Sequence, residues 1–119
     1  MDSITVKGRK FDFEIPSAWD GCAIFNMLVK HDVPFLPSET IGLKYSVRDM
    51  TPDDLVTFLQ LCLKYCFEEL PGNGKDKAKT PVINENGSFG ILDESAPLIT
   101  KIVSQYIVFF MNWWRAESN

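Results

Sequence analysis

Hydrophobic and polar positions alternate at the start of the chain. Ile4 and Val6, then Phe11, Phe13 and Ile15, are separated by single polar residues, with Lys7-Gly8-Arg9-Lys10 between the two runs. Period-two alternation around a glycine predicts a β-hairpin with one apolar and one wet face. A two-stranded ribbon is marginal by itself, so its apolar face must lie on helices or pair with further strands. The spacing then changes. Ser17 with Asp20 approximates a capping box, and the pattern predicts a helix from there to about Lys30 that buries Ala23, Phe25, Met27, Leu28 and Val29. Gly21 weakens that helix by about 1 kcal/mol relative to alanine. Pro34 and Pro37 end regular structure, and beyond His31 the reading stays open between a helical turn over 38–43 and a short strand over 41–47.

Thr51-Pro52-Asp53-Asp54 is the clearest helix start in the chain. Threonine caps, proline takes the first helical position, and both acids favour the positive end of the dipole. The apolar stripe Leu55, Phe58, Leu59, Cys62, Leu63 and Cys66 predicts a helix that runs to Leu70, where Pro71-Gly72-Asn73-Gly74 stops it. Residues 71–80 read as a flexible polar loop. Segments 81–84 and 89–92 read as a second short hairpin turning at Asn86-Gly87.

The last quarter predicts one long helix over 96–116. Ser95 is its candidate N-cap, Asp93 and Glu94 lie near its positive end, Pro97 is tolerated in its first turn, and Arg115 sits at its negative end. Lys101, Gln105, Asn112 and Arg115 form one polar line interrupted only by Val108, and most of the remaining circumference is apolar. Such a helix needs neighbours on more than one side. Each large side chain left in water would forgo about 1.5–3 kcal/mol. The elements add up to an α+β fold, mostly helical: an N-terminal β-hairpin, two to three helices, a short second hairpin and a long C-terminal aromatic-rich helix in a single domain over 1–119.

Composition narrows the function classes. A length of 119 residues, 45% hydrophobic and 24% charged, is that of one globular domain with a real core. The net charge of −4 gives no electrostatic reason to expect nucleic acid, and the basic cluster Lys75, Lys77, Lys79 is diluted by Asp76. The apolar run 106–111 is too short for a bilayer, and Met1-Asp2-Ser3 does not open a secretory leader. Three cysteines do not make a disulfide scaffold, so the expected location is the cytoplasm.

Candidate chemistry is sparse. Cys62 and Cys66 lie one helical turn apart, but both fall on the apolar stripe, where cysteine packs as a small hydrophobe; no metal site or cofactor is expected. Cys22 and His31 show no arrangement that would make a nucleophile and base, and no catalytic residue is expected. Asp53-Asp54 is explained by helix-end electrostatics. Glu68-Glu69, in what reads as a last helical turn, is either solvated or paired with a basic partner. Gly72-Asn73-Gly74-Lys75 lacks the spacing of a phosphate loop. Trp113-Trp114 point about 100° apart on a helix. Either one indole caps the core while the other lies on the surface, or together with Phe110 they form an interaction patch.

The order of these pieces resembles the small tail assembly chaperones of long-tailed phages and prophages. The likeness rests on the ribbon Ile4-Thr5-Val6-Lys7-Gly8-Arg9-Lys10-Phe11, the segment Pro16-Ser17-Ala18-Trp19-Asp20 and the acid-opened helix over 51–70. It rests also on Pro81-Val82-Ile83-Asn84-Glu85-Asn86-Gly87 and the aromatic-rich helix over 102–114. The resemblance implies a non-enzymatic protein of the bacterial host cytoplasm. Such a protein keeps the long, helical, aggregation-prone tape measure protein soluble until tail tube subunits polymerise around it. An amphipathic client needs an apolar groove or rim, and a homo-oligomer would multiply weak contacts along it. The residues expected to bind the protein partner are Tyr106, Phe109, Phe110, Trp113 and Trp114, inferred from the apolar excess of the last helix. Two alternatives stay open. One is a small phage-encoded adaptor or inhibitor that binds a host protein through an acidic or aromatic surface, and the other is a minor virion component.

Overall fold

The alternating start of the chain folds as a hairpin. In the computed structural model, which describes residues 3–6, 8–30, 51–69, 79–83 and 96–118, β1 (Ser3–Val6) and β2 (Arg9–Phe13) pair antiparallel, with Ile4 opposite Phe11 and Val6 opposite Arg9. Gly8 takes a φ of 78°, a left-handed conformation that residues with a side chain rarely adopt. β3 (Cys66–Glu69) joins beside β2 and β4 (Lys79–Pro81) beside β3, giving an antiparallel sheet of order β1-β2-β3-β4. Because partners across an antiparallel ladder point to one side, this register puts Ile4, Val6, Phe11, Phe13 and Cys66 on one face. Lys10, Asp12, Glu69 and Lys79 share the other. That outer face is laced by charge, with Lys10 Nζ 3.3 Å from Glu69 and Lys79 Nζ 3.6 Å from Asp12.

The helices among the described residues are α1 (Ala18–Lys30), α2 (Pro52–Leu63) and α3 (Ala96–Ser118). Ser17 caps α1, accepting the Asp20 N–H at 3.3 Å; Thr51 caps α2, accepting the Asp54 N–H at 3.2 Å, with Pro52 at its start. α3 is the centre of the molecule. It packs on β1 and β2 and also on α2, and Ile102, Val103, Tyr106, Ile107 and Phe110 are wholly buried. The expectation that this helix needs neighbours on more than one side is therefore met within one chain. No described helix is long and apolar enough to cross a membrane.

Four expectations need correcting. The helix that opens at Thr51 stops at Leu63, not Leu70, and Cys66–Glu69 is a strand. Over so short a run the stripe through Cys62 and Cys66 fits either period, and the backbone of β2 supplies ladder partners that further helical turns would not. Lys79 and Thr80, read as loop, belong to β4, which pairs with β3; residues 71–78 and the turn and second arm over 84–92 lie outside the described residues. Glu68 is in a strand, not a last helical turn, and of the two readings open for it the basic partner holds: it faces the core side of the sheet, and Arg9 donates to its carboxylate through Nε and an Nη, both at 2.8 Å. On α1, Ile24 and Leu28 are the residues fully buried, while Val29 is exposed. The candidate cap Ser95 and the segment 31–50 also lie outside the described residues.

Two measurements of stability check this packing. A methyl group at Gly21 would lie 3.6 Å from Pro16 and 3.9 Å from Trp113, ordinary contact distances, so Gly21→Ala should stabilise by about 0.5–1 kcal/mol in denaturant unfolding. Arg9→Met leaves the Glu68 carboxylate without its main partner and should cost about 3 kcal/mol, whereas Arg9→Met with Glu68→Leu should recover most of that loss.

Candidate functional site

The five aromatic residues expected to meet a partner divide into two groups. Tyr106 and Phe110 are buried, so they serve the core in this conformation. Tyr106 packs edge-on against Phe13, at 5.5 Å between ring centroids, and its hydroxyl donates to the Glu14 carbonyl at 3.1 Å. Burial pushes that phenol well above its ordinary pKa, so it stays a protonated donor. Phe109, Trp113 and Trp114 are half-buried. Trp114 stacks on Phe25 of α1 at 4.2 Å with the rings 10° apart. Trp113 stands over Gly21, its indole 3.9 Å from where a Cβ would sit. Both tryptophans thus clamp α1 onto the end of α3, and Phe109 is left at the edge of the core beside Phe13, 5.7 Å away.

Phe109 borders a shallow depression lined also by Phe13, Glu14, Ile15 and Tyr65. Ile15, the residue before the Pro16-Ser17 entrance to α1, is 55% exposed, and Trp19 in the first turn of that helix is 87% exposed. The entrance to α1 is therefore apolar on the outside as well as the inside. The alternation puts Ile15 with Phe11 and Phe13 on the apolar face of the hairpin, but β2 ends at Phe13 and Ile15 turns outward; Trp19 is not among the residues expected to bind a partner. A signal existed for Trp19: it lies nine residues before Leu28, which at about 100° per residue places it on the opposite side of the helix.

A polar latch holds this entrance in place. The Tyr65 hydroxyl donates to the Asp20 carboxylate, accepts the Ser17 N–H at 3.2 Å and lies 3.1 Å from Ser17 Oγ. Lys64 Nζ donates to the same Asp20 oxygen at 2.8 Å. The Lys64 ammonium, followed by the Tyr65 hydroxyl, holds the Asp20 carboxyl below its ordinary value, while Asp20 raises Lys64 in return. These bonds cap α1 and tie it to the turn after α2, which gives the cluster a positioning role.

The cysteines follow the core reading. Cys62 and Cys66 are buried, burial pushes both thiols up, and Cys66 Sγ donates to the Cys62 carbonyl at 3.4 Å. Cys22 is exposed on α1, and His31 lies outside the described residues. Among the described residues no group of three or more His, Cys, Asp or Glu is arranged to hold a metal ion. Glu68 is buried against Arg9 and Glu69 is bridged to Lys10, so they do not join Asp53 and Asp54 in an exposed acidic patch. Compared with family models, curated proteins and solved structures, the chain matches none.

The latch makes a pH prediction. A carboxyl whose folded pKa is depressed contributes stability that is complete above its unfolded value, about 4, and is lost as pH falls through the lower folded value. The thermal midpoint of the wild type should therefore fall more steeply between about pH 5 and pH 3 than that of Asp20→Asn, which lacks the titrating group.

Proposed function

We propose that this chain works by binding another protein through the apolar surface around the entrance to α1, without chemistry of its own. The observation that supports this reading is Trp19, 87% exposed in the first turn of α1, one helical turn along the chain from the half-exposed Ile15 that borders the depression. Tryptophan is the side chain most enriched at interface hot spots, and the fold gains little from holding one in water. The half-buried Trp113 packs over Gly21, which at about 100° per residue lies on the side of α1 away from Trp19 and ties that side to α3.

The partner that suits such a surface is an amphipathic helix, whose apolar stripe would lie across Trp19 and Ile15. Together with the likeness described above, this makes a phage tail assembly chaperone the reading we favour. Its client would be the tape measure protein, held soluble in the host cytoplasm until the tube forms around it.

Co-expression tests it. The chain should raise the soluble yield of a tape measure protein severalfold, and Ile15→Asp with Trp19→Asp should abolish the gain. Because both side chains are exposed, each replacement should change the stability of the chain itself by less than about 0.5 kcal/mol. A client that stays insoluble with the wild-type chain, or that is rescued equally by the double variant, would overturn the assignment.

A further inference from the structure

The two edges of the sheet are unlike each other. β4 ends the sheet with Lys79 and Pro81, a charge and a residue without an N–H, both of which discourage pairing with another chain. β1 ends it with Ser3-Ile4-Thr5-Val6, uncharged, free of proline and rich in β-branched residues. No hydrogen bond among the described residues reaches the outer side of this strand. Which groups face outward follows from the turn. Lys7-Gly8 is a two-residue connection, so Val6 and Arg9 form the hydrogen-bonded pair that closes it, and Ile4 with Phe11 forms the next. The N–H and C=O of Thr5, between those pairs, point away from β2.

We infer that β1 pairs antiparallel with β1 of a second copy, about a two-fold axis through Thr5, to make one continuous sheet of two protomers. The strand is complementary to itself in this register. Thr5 lies opposite the second copy's Thr5, each donating its N–H to the other's carbonyl, with the two hydroxyl side chains together on the outer face. Ile4 lies opposite the second copy's Val6 and Val6 opposite its Ile4. All four then fall on the inner face, the side on which α3 packs, so the core of one protomer runs into that of the other. A shift by one residue would turn the second copy's inner face outward, which selects this register over its neighbours. No charge within the strand meets a like charge across the axis.

The inference does not depend on the client, because the chain is measured alone. In sedimentation equilibrium the wild type should be a dimer. Thr5→Lys sets two ammonium groups across the axis and Thr5→Pro removes both intermolecular donors. Neither disturbs a hydrogen bond to β2, and each should raise the dissociation constant at least about tenfold. Opposed residues of a hydrogen-bonded pair stand about 5.5 Å apart at Cα, within disulfide range. In a Cys22→Ser background, Thr5→Cys should therefore cross-link on mild oxidation while Ser3→Cys should not. A chain that is monomeric at all concentrations overturns the inference. So does a dimer unmoved by Thr5→Lys, or one that links through position 3 and not through position 5.

Discussion

The fold depends on one helix having more apolar surface than any single neighbour can cover. α3 resolves this by taking three neighbours: the sheet on one side, α2 on a second, and α1 at its C-terminal end through Trp113 and Trp114. Tyr106 is the point where this arrangement is most constrained. Its ring fills the junction with Phe13, and a phenol buried there without an acceptor would cost about 1–3 kcal/mol. The Glu14 carbonyl supplies that acceptor, so the end of β2 has to run past the middle of α3.

The same segment is held from a second direction. The Glu14 N–H donates to the Tyr65 carbonyl at 2.9 Å, while the Tyr65 hydroxyl reaches forward to Ser17 and Asp20. Two tyrosines from distant parts of the chain thus fix both the backbone before Pro16 and the first turn after it. With the backbone pinned and the inner face of α1 occupied by Ile24, Leu28 and the Phe25–Trp114 stack, Ile15 and Trp19 have no inward position to take. Their exposure follows from the latch, and it places the candidate surface on a rigid support.

Much of this was legible in the sequence. The hairpin, both helix caps, Pro52 and the whole extent of α3 rest on local chemistry, where the residues that decide are neighbours in the chain. What was not legible was decided at long range. Cys66–Glu69 carries a pattern that suits either period, and it becomes a strand because β2 is there to pair with it. Glu68 could not be paired on paper, since Arg9 lies 59 residues away and only the sheet register brings the two together. The aromatic excess of α3 is a demand for neighbours, visible in the sequence and met in the fold. How that demand divides between its own chain and a partner depends on α1, and nothing in the local pattern near Trp113 points to Gly21.

That division leaves the exposed aromatic surface on α1 and not on α3. Trp113 and Trp114 are in contact with α1, so their size already has an explanation in the fold. Val29 and Val56 are exposed singly, and isolated aliphatic residues on a surface are ordinary. Trp19 differs from both groups. Its indole adds nothing to the α1 cap, which is made by Ser17 and Asp20, and nothing to the inner stripe, which lies on the far side of the helix. A large aromatic side chain on a first turn held by Tyr65 stands on backbone that is already ordered, so only the freedom of the indole itself is lost when something covers it.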